Sequence, residues 1–382
     1  MDTVIEILIE VFGEMFFECF SFDAIWLPKK PLSKRQQKII SVILLTITAL
    51  AFFALVGALI FLIGTRGSSL LGWALLLFDL AYVIAFFLLK RKSRRILQEE
   101  TQKERELIDL IKKINVESRD DGTQFTVTTR LDAIRAALKD TDYRPIFEKS
   151  RLFALYARKP LKELPRDLVL ISTHADAVPA ITKFYTVENG DTLRGTFDNS
   201  ITNAIAVSAM QKGLLPDNVI VAFTADEEVK ARGAILLSAG LLAAGKRFRA
   251  IVLDVTPMGY EENYSFTVEN NYKIGAAEAR TIVRGARRVK AEWGITVVDP
   301  NEIPQGFPAQ RIFRDETGAP IPAMCDEART YGRPLMSACT LAFSLCIPTE
   351  GQMHSNEGVL VRRASLLRYR DAITAIAAEL GK

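Results

Sequence analysis

The chain has 382 residues, of which 49% are hydrophobic and 25% are charged. This composition excludes disordered, collagen-like and coiled-coil chains. The near balance of 49 basic and 45 acidic residues argues against nucleic acid as a partner. The four cysteines include no CxxC pair, which disfavours a zinc ribbon or a disulfide framework. The class that is left is a folded protein. Its sequence contains only two histidines.

Residues 1–27 are predicted to form an amphipathic helix with an acidic stripe. Glutamates recur at every fourth position, and apolar residues fill much of the intervening sequence: Glu6, Glu10, Glu14 and Glu18. The segment lacks the basic start and the small-residue cleavage site of a secretory signal peptide. Because anionic lipid attracts basic helices, we expect this acidic helix to contact protein instead, with a second copy of the chain as one option. A homo-oligomer is therefore among the expected assemblies.

Two long apolar runs predict a transmembrane hairpin. Residues 39–64 contain no charged residue, and residues 70–89 contain only Asp79. About 20 apolar residues suffice to cross a bilayer, so both runs are predicted to be transmembrane helices that contact lipid. Since a carboxylate facing lipid is costly, we expect Asp79 to face the other helix, a partner chain or the membrane interface.

Basic residues flank the predicted hairpin. The linker 28–38 and the segment KRKSRR that starts at Lys90 are rich in Lys and Arg, whereas Arg66 is the only basic residue between the runs. This distribution predicts that both ends lie in the cytoplasm. The expectation is an integral protein of the plasma or inner membrane, in which a charged stalk helix at 90–115 leads to a cytoplasmic domain.

Residues 116–382 are predicted to form an α/β domain. Helical spacing at 201–211 and 233–242 alternates with buried, β-branched runs that predict strands: 152–157, 168–172, 219–224 and 250–255. This alternation predicts a mostly parallel central sheet with helices on both faces.

Acidic and histidine side chains follow the ends of these strands. In open α/β sheets, ligands bind at the carboxyl ends of the strands. The candidates there and in two loops include both histidines of the chain: His174, Asp176, Asp198, Asp226, Glu227, Glu228, Asp254 and His354. Crowded carboxylates raise one another's pKa unless cations neutralise them. Histidine with carboxylates suits zinc or a similar divalent ion, and two histidines with a shared aspartate suit a pair of ions.

Five ordered motifs carry a resemblance to a known superfamily: STHADAVP, GTFDNS, FTADEEVKARGA, VLDVT and MHSNEG. Together they resemble the co-catalytic dizinc exopeptidases, which include bacterial leucine aminopeptidases, glutamyl aminopeptidases and acyl-amino-acid deacylases. The resemblance covers about residues 140–382. The short interval from His174 to Asp198 is closer to the compact leucine-aminopeptidase type. The interval from Asp254 to His354 is too short for the deacylase dimerisation domain. A single-domain, zinc exopeptidase-like fold is implied.

The resemblance implies a ligand set for two divalent metal ions, with zinc favoured and cobalt or manganese as alternatives. Asp198 would bridge the two ions. His174 and Asp254 would complete the protein ligands of one ion, and Glu228 and His354 those of the other.

Further roles follow from the same resemblance. Glu227 would be the general base, because a metal-bound water needs a proton acceptor beside it. Asp176 would accept a hydrogen bond from the His174 ring and fix its tautomer. The Asp198–Asn199 peptide bond is expected to be cis. Asp326 and Glu327 would contact the α-amine of a substrate, with a solvated loop as an equal alternative.

These expectations combine into a membrane-anchored metallo-aminopeptidase that hydrolyses a peptide or small amide substrate. One alternative is a dizinc deacylase or amidohydrolase that acts on N-acyl amino acids or dipeptides. The other is a non-enzymatic membrane scaffold with a peptidase-like fold.

Overall fold

The computed structural model describes residues 70–118, 128–149, 152–228, 230–322 and 326–382, together with positions 57, 61, 64 and 65. The predicted helix 1–27, the linker 28–38 and nearly all of the apolar run 39–64 lie outside the described residues. The chain divides into two compact units, Met1–Gln102 and Lys103–Lys382.

Helix α1 (Leu70–Ile114) is the first described element. The second apolar run forms the beginning of this helix, which continues without a break through the charged stretch predicted as a stalk. None of the described helices is long and apolar enough to cross a membrane. The first apolar run lies almost entirely outside the described residues, so the transmembrane hairpin stays a prediction.

The end of α1 belongs to the core of Lys103–Lys382. Apolar side chains at helical spacing are buried there, including Leu107, Ile111 and Ile114. Exposed ion pairs flank this buried stripe, such as Lys112 with Glu188 at 2.7 Å. Because exposed pairs contribute little to stability, burial of the apolar stripe accounts for the docking of this segment.

The other elements of this unit alternate between strands and helices. In chain order, the structure has α2 (Thr128–Leu138), β1 (Arg144–Lys149), β2 (Phe153–Ala157), β3 (Asp167–His174), β4 (Thr186–Asn189), β5 (Thr192–Gly195), α3 (Ser200–Gln211), β6 (Val219–Thr224), α4 (Arg232–Ala243), β7 (Arg247–Thr256), β8 (Phe266–Tyr272), α5 (Ala276–Arg288), β9 (Trp293–Ile295), α6 (Glu327–Gly332), β10 (Cys339–Gly351), β11 (Val359–Arg362) and α7 (Arg363–Leu380). The four strands and two helices expected from the sequence are all present.

The central sheet is mixed, which corrects the prediction of a mostly parallel sheet. Strands β6, β3, β7 and β10 are parallel neighbours in that order. On one side β2 and β1 continue the sheet in antiparallel orientation, and on the other β8 pairs antiparallel with β10 and parallel with β9. A parallel connection needs a long crossover, whereas the short link between β1 and β2 returns the chain antiparallel.

Strand β10 also joins a second, antiparallel set of strands. Its last residues pair with β11, which pairs with β5, and β5 pairs with β4. This pairing brings the loop after β5 and the loop between β10 and β11 to one place. A Cβ at Gly358 would lie 2.3 Å from the Gly195 carbonyl oxygen, so only glycine permits this close approach.

Helices cover both faces of the sheet, as expected. Successive strand residues alternate between two hydrophobic clusters, because neighbouring side chains of a strand point to opposite faces. One cluster includes residues of α1, α2, α3, α5 and α7, and the other includes residues of α4 and α6. This arrangement leaves the carboxyl ends of the parallel strands at one edge, where the candidate site lies.

Candidate metal centre

The candidate ligands converge at the carboxyl ends of three parallel strands. His174 is the last residue of β3, and Asp254 lies near the end of β7. Glu227 and Glu228 follow the end of β6. The parallel register places these ends side by side, as the topology rule predicted.

Asp198 lies between the two histidines. Its Oδ1 is 3.1 Å from His174 Nε2, and its Oδ2 is 3.1 Å from His354 Nε2. Each carboxylate oxygen therefore faces a different imidazole. This is the placement that a bridging carboxylate requires.

A second carboxylate accompanies each histidine. Asp254 Oδ1 lies 3.7 Å from His174 Nε2, and Glu228 Oε2 lies 3.8 Å from His354 Nε2. One ligand atom each of His174, Asp198 and Glu228 lies within 4.8 Å of the others. The structure thus brings together all five residues of the expected ligand set.

The contacts around Asp198 fit a cation better than a hydrogen-bonded network. Asp198 Oδ1 is buried and has no hydrogen-bond partner among the described residues, although His174 Nε2 is close by. A carboxylate oxygen and an imidazole nitrogen that face each other without a hydrogen bond can bind the same ion. Imidazole nitrogen and carboxylate oxygen together form a donor set that suits zinc.

The electrostatics of the candidate ligands point the same way. Burial, with help from neighbouring carboxylates, raises the pKa of Glu227 to about 9 and that of Glu228 to about 7. Burial also raises the pKa of Asp254. Burial alone would raise the pKa of Asp198, but the imidazoles of His174 and His354 hold it well below its usual range. Bound cations would favour the charged form of all these carboxylates.

Asp176 is buried on the other side of the His174 ring. Its Oδ1 lies 3.3 Å from His174 Nδ1, and its Oδ2 accepts a hydrogen bond of 3.4 Å from the backbone N–H of Glu228. It therefore touches the ring nitrogen that does not face Asp198, which is the position expected for a residue that fixes the tautomer.

Two buried asparagines lie beside the ligands, and the sequence analysis identified neither of their side chains as a support. The Asp198–Asn199 peptide bond is cis, as expected. The Asn199 amide donates to the Leu253 carbonyl at 2.7 Å, next to Asp254. The Asn203 amide donates to the carbonyls of His174 at 2.7 Å and Asn199 at 2.6 Å. The amides thus connect three ligand segments. The motif FDNSITN places both asparagines around a helix start, where such residues more commonly cap helices.

Arg130 was also missed. It is fully buried in the first turn of α2, and its guanidinium donates to the carbonyls of Ala175 at 3.0 Å and Asp176 at 3.3 Å. Burial lowers its pKa to about 10, while the charges of Asp176 and Asp198 oppose this shift. Nothing in the local sequence distinguishes Arg130 from an exposed helix charge, so the pattern contained no signal for it.

The loop that presents Glu227 and Glu228 has its own support. Asp226 adopts a left-handed conformation with φ of 66°. Its buried carboxylate accepts a hydrogen bond of 2.5 Å from Arg232 Nε. The pair links the two ends of the loop, so the loop geometry depends on both side chains.

Asp326 and Glu327 occupy the start of α6. The Asp326 side chain accepts a hydrogen bond of 2.8 Å from the Ala328 backbone N–H and so caps the helix. Glu327 is 1% exposed and accepts hydrogen bonds of 2.6 Å from Ser172 and from Thr224. The alternative of a solvated loop is thus wrong for Glu327, because its carboxylate is buried. Contact of either residue with a substrate amine stays a prediction.

Comparisons with known proteins give matches among solved structures. No family model matches the sequence, and no curated protein matches it. Aminopeptidase APDkam598 from the archaeon Desulfurococcus kamchatkensis is 13% identical, with a TM-score of 0.50 over 73% of this chain and 96% of that chain. The TET1 peptidase of Pyrococcus horikoshii is 13% identical, with a TM-score of 0.47 over 71% and 99%. The Bacillus subtilis YXEP protein, a dinuclear metal binding peptidase from the M20 family, is 13% identical, with a TM-score of 0.43 over 72% and 98%.

The likeness to APDkam598 concerns the fold. Nearly the whole length of that aminopeptidase corresponds to this chain. The mixed sheet with helices on both faces is therefore an architecture that this chain shares with a known peptidase.

Proposed function

We propose that this protein is a dizinc exopeptidase, specifically an aminopeptidase that hydrolyses peptide bonds. The observation that carries the proposal is the geometry of Asp198, whose two oxygens each face one of the two histidines at 3.1 Å. The shared fold with an aminopeptidase supports it.

The chain's own residues would hold two divalent ions. Asp198 would bridge them, with His174 and Asp254 on one ion and Glu228 and His354 on the other. Zinc suits this donor set, and cobalt or manganese are alternatives. When bound, such a pair polarises a substrate carbonyl and makes water a stronger nucleophile at neutral pH.

Glu227 is the proposed general base. It follows the strand end next to ligand Glu228, and no hydrogen bond within the described part of the chain occupies its carboxylate. It would accept a proton from the attacking water while the water oxygen adds to the peptide carbonyl carbon. As the C–N bond breaks, the proton would pass from Glu227 to the leaving amine nitrogen.

The test is the Glu227→Gln variant of the full chain, with Glu302→Gln in an exposed segment as the control. Glu227→Gln should keep about two zinc ions per chain but lose at least about 100-fold in kcat on unblocked peptides, since it removes the proton acceptor. Glu302→Gln should match the wild type. Hydrolysis at the wild-type rate by Glu227→Gln would contradict the proposed mechanism.

The same assay separates the alternatives. Preferential hydrolysis of N-acyl amino acids over unblocked peptides would identify a deacylase. A chain that retains no zinc and cleaves neither substrate would be a scaffold.

We infer a membrane location from the sequence alone. The apolar runs 39–64 and 70–89 and their basic flanks support an anchor in the plasma or inner membrane, with the domain 116–382 in the cytoplasm. The acidic stripe of residues 1–27 supports homo-oligomer formation. Reporter fusions at the C-terminus test the orientation, and a reporter active only outside the cytoplasm would contradict it.

A further inference from the structure

The two histidine ligands are held in different ways. His174 ends a core strand, its side chain is 2% exposed, and its carbonyl accepts the Asn203 hydrogen bond. His354 lies in the loop between β10 and β11, and its side chain is 58% exposed. Because metal affinity depends on how firmly the ligands are positioned, the contacts of this loop determine how well His354 can bind an ion.

Asn356, two residues after His354, fastens the loop to another segment. Its Oδ1 accepts hydrogen bonds from the Thr182 backbone N–H at 2.7 Å, the Thr182 hydroxyl at 3.1 Å and the Lys183 backbone N–H at 2.9 Å. Its Nδ2 donates to the Ala180 carbonyl at 3.1 Å. One side chain thus makes four hydrogen bonds to residues 180–183, the segment that continues from His174 and Asp176.

The loop has other contacts, and they are separable from those of Asn356 by substitution. The Ser355 hydroxyl donates to the Gln352 carbonyl at 3.1 Å, which shapes the turn only from within. The Glu357 carbonyl accepts hydrogen bonds from the Tyr185 hydroxyl and from Arg194 Nε. Since these contacts involve the backbone of Glu357, a substitution there keeps them, whereas a substitution of Asn356 removes its contacts.

We propose that Asn356 is a positioning residue for the metal position formed by Glu228 and His354. By joining the His354 loop to residues 180–183, it sets the affinity of this position and leaves that of His174 and Asp254 unchanged. The inference rests on the proposed function, because it requires the two metal positions. It adds to that function a residue that touches neither metal nor substrate.

The test measures zinc and cobalt binding to four full-length proteins: the wild type, Asn356→Ala, Asn356→Asp and Glu357→Gln. Two readouts are zinc content after dialysis against a weak chelator and the absorption of bound Co²⁺ during titration. The wild type should bind two ions. In Asn356→Ala, the dissociation constant of the second ion should rise about 10- to 100-fold while that of the first stays unchanged.

The other variants identify the cause. Asn356→Asp keeps the oxygen that accepts from Thr182 and Lys183 but loses the donor to the Ala180 carbonyl, so it should recover part of the affinity for the second ion. Glu357→Gln should bind both ions as the wild type does, because its backbone contacts remain. Equal thermal midpoints of the metal-free proteins would show that the fold is intact. Should Asn356→Ala fail to fold, Thr182→Ala removes one of the four contacts and should raise the second dissociation constant by a smaller factor.

Three results would overturn the inference. If Asn356→Ala and Thr182→Ala bind the second ion as tightly as the wild type, Asn356 does not position His354, while the proposed function stands. If Asn356→Ala loses both ions equally and melts earlier than the wild type, its role is general stability. If the wild type binds no zinc or cobalt, the proposed function itself is wrong, and the inference falls with it.

Discussion

The buried amide of Asn203 provides a quantitative test of how the ligand segments are held together. Asn203→Ala removes the side-chain hydrogen bonds to the carbonyls of His174 and Asn199. The Asn199 carbonyl keeps the hydrogen bonds from the Asn203 backbone N–H at 3.2 Å and from the Thr202 hydroxyl at 2.9 Å, so the loss falls on the His174 carbonyl. An unsatisfied buried polar group costs about 1–3 kcal/mol, and the free energy of unfolding should fall by about that amount. Both carbonyls belong to or adjoin metal ligands, so zinc affinity should fall as well.

Urea unfolding of the metal-free chain measures this change, with Gln211→Ala as the matched control. Gln211 lies at the end of the same helix, and its amide donates one hydrogen bond of 2.8 Å at the exposed surface. Its loss should cost less than about 1 kcal/mol, because water can replace the bond. The reasoning is refuted if Asn203→Ala unfolds at the same urea concentration as Gln211→Ala.

Two further predictions concern charge at the site. Asp176→Asn should weaken zinc binding about 10- to 100-fold, because the carboxylate beside His174 Nδ1 is lost; competition with a chelator measures this, and unchanged affinity would contradict the assigned role. The metal-free protein should lose stability as pH rises from about 4.5 to about 9. The folded state raises the pKa of Glu227 to about 9 and that of Glu228 to about 7. Because the folded state therefore binds these protons more tightly than the unfolded chain does, the stabilisation is lost as the two groups ionise. Thermal midpoints at pH 5, 7 and 9 measure this loss, which saturating zinc should reduce; midpoints that rise with pH without zinc would contradict it.

The elements could be predicted from the sequence because they leave local patterns, whereas the assignment of ligands to two ions came from the resemblance of the five motifs. Strands such as β6 are short apolar runs, and Glu227 and Glu228 directly follow one of them. The rule that strand ends meet at one edge then sufficed to bring His174 and Asp254 together.

Strand direction and the supporting residues could not be predicted, because both depend on distant parts of the chain. Strand β8 pairs with β10 and not with β7, which precedes it in the sequence. The supporting side chains form hydrogen bonds with backbone carbonyls and N–H groups, which are present throughout the chain: those of Asn203, Arg130 and Asn356. When the partner of a side chain is a backbone group, the sequence contains no second residue type that marks the contact. In the sequence, such residues therefore resemble ordinary polar surface residues.

The place of β10 in the sheet has a consequence for synthesis of the protein. This strand lies between β7 and β8, although both precede it in the chain. During translation, His174, Asp198, Glu228 and Asp254 emerge before β10, and β7 has an unpaired edge until β10 is inserted. His354 follows β10 and is therefore the last ligand to arrive. Nearly the whole of Lys103–Lys382 must therefore be synthesised before the five candidate ligands can meet.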